Sequence, residues 1–107
     1  MKSPEPLPAS ITSGESGVLQ VSGDLTFATV SAILKHSRPL LASVNDRVVM
    51  ELADVGRVDS AGLALLVQWM RMAREQKVKI CFRHVPEQLL AIAHASDLDH
   101  IIPLEQG

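Results

Sequence analysis

The sequence predicts an α/β domain on a mainly parallel sheet, and three observations carry that prediction. Short apolar runs at 18–21, 47–52 and 79–84 have the length and the Val and Ile content of strands. Segments of helical periodicity separate them, giving the order strand–helix–strand–helix–strand–helix, and helices between apolar strands imply parallel neighbours. The run Arg47-Val48-Val49-Met50-Glu51-Leu52 is almost continuously apolar, as expected of a strand covered on both faces.

In chain order, prolines at 4, 6 and 8 forbid a helix and remove backbone donors. Residues 1–8 are therefore expected to be a disordered leader, and 9–107 the domain. The turn Ser13-Gly14-Glu15-Ser16-Gly17 joins a first strand pair whose stronger member is 18–21. Ser22-Gly23-Asp24 is expected to break that strand. A helix follows from Thr26 to about Ser37, with Phe27, Val30, Ile33 and Leu34 spaced for one buried face. Pro39 is expected to stop or kink it near Arg38, with Leu40-Leu41 adding a last packed turn.

Asn45-Asp46 marks a turn before the strand 47–52, and Ala53-Asp54-Val55-Gly56-Arg57 reads as a short loop. The second helix runs from Ala61 to about Gln76 and is rich in Leu, Met, Ala and Arg. In the strand 79–84, period-two alternation puts Ile80 and Phe82 toward the helices and Cys81 with Arg83 on the other face. Pro86 suits the first position of a third helix through about Ala95, with Glu87 in its first turn. His100-Ile101-Ile102 is a candidate closing edge strand.

Composition narrows the function classes. A chain of 107 residues with 47% hydrophobic content forms one domain with one core. Its only aromatics are Phe27, Trp69 and Phe82, so it has no platform for stacking bases. The net charge is −2 and no basic stripe exists to neutralise phosphates, which argues against nucleic acid as a partner. Cys81 is the single cysteine, excluding an internal disulfide and a cysteine zinc site. The four histidines show no metal spacing. No Gly-rich phosphate loop or dinucleotide fingerprint is present, so no cofactor and no small-molecule substrate are expected. The N-terminus does not read as a signal peptide. The longest apolar stretch, 63–67, is far below the roughly 20 residues of a membrane span. The expectation is a cytoplasmic protein with no direct membrane insertion.

The most informative segment is Val58-Asp59-Ser60-Ala61-Gly62-Leu63-Ala64-Leu65-Leu66, which follows a strand and opens a helix. It resembles the signature of STAS domains, the family named after sulfate transporters and anti-sigma-factor antagonists. The resemblance extends over most of 18–104. It includes Ser22-Gly23-Asp24-Leu25 before the first helix and Glu51-Leu52-Ala53-Asp54-Val55 just before the signature. It implies a small mixed sheet of about four to five strands with helices packed along one side. Anti-sigma antagonists usually carry a glycine where this chain has Ala64. The Ala-Leu-Leu continuation is similar to the MlaB-type STAS subunit of phospholipid-trafficking ABC transporters, which binds the cytoplasmic ATPase and serves outer-membrane lipid asymmetry.

On the second helix, Leu63, Val67 and Met70 form one stripe, with Leu66 and Ala73 beside it. Leu65, Trp69 and Met72 occupy a further sector, so the apolar arc exceeds the ~100° of a one-sided amphipathic helix. That sector packs under a neighbouring element or binds a partner. We read it as partner-binding, with Trp69 as anchor, because tryptophan is enriched at interface hot spots.

Asp59 and Ser60 stand at the helix start, where a side-chain oxygen of either caps free N–H groups. A helix N-terminus also tolerates a phosphate. By resemblance, Ser60 matches the residue phosphorylated in anti-sigma antagonists and is the candidate phosphoacceptor. Ser60 as a nucleophile fits poorly, since Val58 stands where the Gly-x-Ser-x-Gly elbow needs glycine. The expected role is a non-catalytic adaptor for an ABC-transporter ATPase, peripheral at the inner membrane through that complex. The expected partner-binding residues are Asp59, Ser60, Ala61, Gly62, Leu65, Trp69 and Met72. The alternative is an anti-sigma-factor antagonist switched at Ser60.

Overall fold

The computed structural model describes residues 8–105, so the expected leader lies outside the described residues except for Pro8. Strand β1 (Ser10–Ser13) pairs antiparallel with β2 (Val18–Leu25) across the expected Ser13–Gly17 turn. Helix α1 (Val30–Ala42) leads to β3 (Arg47–Val58), which lies parallel to β2. Helix α2 (Ser60–Glu75) leads to β4 (Lys79–Arg83), parallel to β3, and α3 (Glu87–Ala95) follows. The sheet is mixed and mostly parallel, in the order β1-β2-β3-β4.

Register explains why there is one core. Leu19 lies opposite Met50, and Met50 opposite Phe82, so one row of apolar side chains crosses three strands. Side chains alternate between faces. Val21, Val48 and Leu52 therefore join that row on the same side. They share a single buried cluster with Ile33 and Leu41 of α1, Leu63 and Leu66 of α2, and Leu89 and Ala93 of α3. Phe82 is buried and Ile80 packs against the cluster, as the alternation in β4 predicts.

Several boundaries differ from expectation, some for local reasons and some for long-range ones. Helix α1 begins at Val30, not Thr26, because Thr29 Oγ1 donates to Asp24 O at 2.6 Å and accepts the Thr26 N–H at 3.0 Å. These side-chain bonds offer 26–29 a turn in place of a helix. The helix then runs through Pro39 to Ala42. Proline removes one backbone bond there, while Leu41 beyond it is buried and its carbonyl accepts Gln76 Nε2 at 2.9 Å.

Ala53–Arg57 is strand, not loop. β3 follows β2 past two irregularities, pairing Ser22 with Asp54 and Leu25 with Val58, and Arg57 N–H donates to Asp24 Oδ1 at 2.9 Å. Gly23, at φ +84°, supplies the left-handed residue that this bulged stretch needs, and β2 continues through it. Finally, 100–102 forms turn and bend. Leu104 makes the closing bridge instead, with Phe82 N–H donating to Pro103 O and Glu105 N–H to Phe82 O. Pro86 is the N-cap of α3 and not its first helical residue, so the helix begins at Glu87, one residue later than expected.

Candidate functional site

The site is built on Asp59, the residue between β3 and α2. Its backbone is extended, and its Oδ1 accepts the Ala61 N–H at 2.8 Å, which caps α2. Its Oδ2 accepts the N–H of Phe27 at 3.2 Å, across 32 residues of chain. Its own N–H donates to Leu25 O at 3.3 Å. One aspartate therefore holds the β2–α1 turn beside the first turn of α2. Gly62 permits that closeness: a Cβ there would lie 2.7 Å from Leu25 O. Asp59 is thus the capping residue, and Ser60 is an exposed first residue of the helix.

Beside this junction runs an apolar groove of about 520 Å³ between α1 and α2. Leu34, Val30 and Ser31 line it from α1, and Ser60, Ala61, Ala64, Leu65 and Gln68 from α2. Phe27 stands at its mouth, 79% exposed. The helical period extended back to Thr26 gave Phe27 a buried position. The turn at 26–29 swings it out instead, and an aromatic next to a Thr-x-x-Thr pair was the only local signal of this.

The second apolar sector of α2 does not form a free face. Trp69 is 0% exposed, Met72 and Leu65 nearly as buried, and all three belong to the core cluster. The reading of Trp69 and Met72 as a partner-binding surface is therefore corrected. α1 packs over that sector, and Trp69 Nε1 donates to Ser37 Oγ at 2.8 Å. The sheet covers one stripe of α2 and α1 covers the next, which is why the helix needs a wide apolar arc. Leu65 keeps a place in the groove wall, with Ala61, while Gly62 is buried beneath.

A second polar cluster lies at the β3–β4 edge. The buried Glu51 faces Arg83 Nε at 2.7 Å and His84 Nδ1 at 2.8 Å, and accepts the Ala53 N–H at 3.0 Å. Burial raises the carboxyl pKa, but the His84 and Ala53 hydrogen bonds and the charges of His84 and Arg83 outweigh it. The net effect holds Glu51 below the ordinary glutamate value. Asp97, Asp99 and His100 also come together at the surface, a grouping that by itself makes no metal centre. Among the described residues no histidine bonds Ser60: His84 turns to Glu51, and His94 and His100 to Asp99. No described helix is long and apolar enough to cross a membrane.

A family model described as MlaB, STAS domain, matches residues 11–104. The chain belongs to the STAS-domain family. Among solved structures, this STAS domain is similar to the anti-sigma factor antagonist SpoIIAA in its unphosphorylated form. That match has 13% identity, a TM-score of 0.68, and covers 92% of this chain and 88% of that one. It is also similar to a proposed anti-sigma factor antagonist from Thermotoga maritima, at 17% identity and a TM-score of 0.70, covering 94% and 86%. A third match is the murine solute carrier 26 family anion transporter, at 18% identity and a TM-score of 0.58. It covers 79% of this chain but 14% of that one. At these identities the likeness is one of fold. No curated protein sequence matches the chain.

Proposed function

We propose that this STAS domain is a non-catalytic adaptor that binds and supports the cytoplasmic ATPase of a phospholipid ABC transporter of the Mla type. The observation that carries this reading is the apolar groove between α1 and α2, open beside Ser60 and fronted by the exposed Phe27. A large exposed aromatic next to an apolar channel is the form of a protein-docking anchor. The transporter assignment draws on the family model that matches and its description. Contact at the groove would hold the ATPase in its assembled state, with the domain peripheral to the inner membrane through that complex.

The exposed Ser60 favours one second reading, an anti-sigma-factor antagonist. A phosphate there would meet the N-terminus of α2, but also the Asp59 carboxylate, and would add charge at the edge of the groove. Affinity purification of the tagged domain from its own cells, followed by mass spectrometry, separates the two. An ABC ATPase in near-equal amount is the expected companion. A switch kinase or anti-sigma factor in its place, with a phosphate on Ser60, would replace the adaptor reading.

A further inference from the structure

From the groove and the charges around it, we propose that its occupant is an amphipathic helix of the partner that carries acidic residues two to three turns from its apolar anchor. This rests on the docking reading above and adds the chemistry of what docks. The apolar part of the groove lies at the N-terminal ends of α1 and α2, where Phe27, Leu34, Ala64 and Leu65 line it. Residues three, four and seven positions apart share a helix face. Lys35 follows Ser31 by four residues, and Arg38 follows Leu34 by four. On α2, Arg71 follows Gln68 by three and Ala64 by seven. Ser31, Leu34, Ala64 and Gln68 all line the groove, so its continuation is flanked by Lys35, Arg38 and Arg71, with Glu75 one turn beyond Arg71 on the same face of α2.

These three side chains sit on exposed positions, and none has a carboxylate within ion-pair distance among the described residues. Glu75 is the one acidic side chain on either helix. That stands out in a chain whose net charge is −2. Arg74 also lies on α2, but in its last turn and off the groove, where a cation answers the helix dipole. The charge asymmetry of the docking face is therefore local, not a property of the whole surface.

Two parallel helices with an apolar channel between them accept a helix as occupant, read through apolar residues at i, i+3 and i+4. From Ser60 to Arg71 is about 16 Å at 1.5 Å per residue, roughly three turns. A partner helix that seats its apolar residues between Phe27 and Leu65 therefore brings its acidic residues to Arg38 and Arg71 two to three turns along. Such charges steer encounter and fix register more than they add affinity.

The test uses the purified ATPase subunit of the host's phospholipid transporter and the full-length domain, with binding kinetics measured across a salt series. The paired variants are Arg38→Glu with Arg71→Glu at the groove, and Arg47→Glu with Lys79→Glu at exposed positions elsewhere. Both pairs change net charge equally, and thermal melts confirm that each remains folded. The expected result is an association rate at least about ten-fold lower for the groove pair at low salt. That difference should fade as the Debye length falls below ~8 Å, and the control pair should bind as the wild type does. Tight ATPase binding with no difference between the two pairs overturns the acidic-helix proposal and leaves the docking reading standing. No ATPase binding by the wild-type domain overturns both.

Discussion

The indole N–H of Trp69 donates to Ser37 Oγ across 2.8 Å, with both side chains sealed from solvent. The Ser37 hydroxyl in turn donates to Leu34 O at 2.7 Å, so each polar group in this buried chain has a partner. The bond joins α1 to α2 and places Leu34, one turn before Ser37, at the groove. The spacing of the docking groove is thus set by a hydrogen bond behind it.

Removing the acceptor should be costly for the fold. Ser37→Ala leaves a buried indole N–H without a partner, and a loss of about 1–3 kcal/mol is expected in urea unfolding. Trp69 fluorescence in the wild-type domain should have the short emission wavelength of a buried indole and should not shift when the ATPase binds. A long-wavelength emission would mean that α1 does not cover α2 in solution.

Gly62→Ala should destabilise, although alanine is the better helix former. The added methyl would press on the backbone Leu25 O at 2.7 Å and on Leu25 Cβ at 3.2 Å, at the end of β2 where Leu25 pairs with Val58. A cost of about 1–3 kcal/mol is expected, as for other overpacked sites. A melting temperature equal to wild type would show that α2 does not approach β2 this closely.

Asp59 and Ser60 should separate cleanly. Asp59→Ala removes the cap of α2 and the tether to Phe27, costing about 0.5–2 kcal/mol. Ser60→Ala, at an exposed position, should stay within about 0.5 kcal/mol of wild type. Ser60→Asp should also melt near wild type, since acidic residues suit a helix N-terminus. It should lose partner binding through the charge it leaves desolvated in the contact. Equal binding by Ser60→Asp and wild type would place the contact elsewhere.

The Glu51 cluster makes an acid-limb prediction. Its folded carboxyl holds a proton less tightly than the unfolded one. The stability it contributes is therefore present above the ordinary glutamate value and is lost as pH falls through the folded one. Unfolding free energies measured in urea from about pH 6 downward should fall through the range near and below ~4.3. Glu51→Gln should flatten that fall. An unchanged acid limb in the variant would show that His84 and Arg83 do not hold the carboxylate.

Most of the fold was legible because local pattern and tertiary structure agree. The apolar runs became β2, β3 and β4, and the Asp59–Leu66 segment marked the strand-to-helix junction where the site sits. What was not legible depended on particular side-chain bonds and on contacts distant in sequence. The turn that delays α1 and exposes Phe27 is made by Thr29 and held by the Phe27 N–H donated to Asp59, 32 residues away. The length of β3 rests on pairing with a bulged strand. The wide apolar arc of α2 was visible on a helical wheel. Only packing shows that α1 covers it, so Trp69 is core and Phe27 is the exposed aromatic.

Hydroxyl-radical footprinting of the domain, free and in complex with the transporter ATPase, tests the docking groove most directly, because the chain's three aromatics report on separate places. Phe27 should be oxidised in the free domain and protected in the complex, while Trp69 and Phe82 stay unlabelled in both. Phe27 labelled equally in both states, with protection confined to the β3–β4 edge around Cys81, would contradict it.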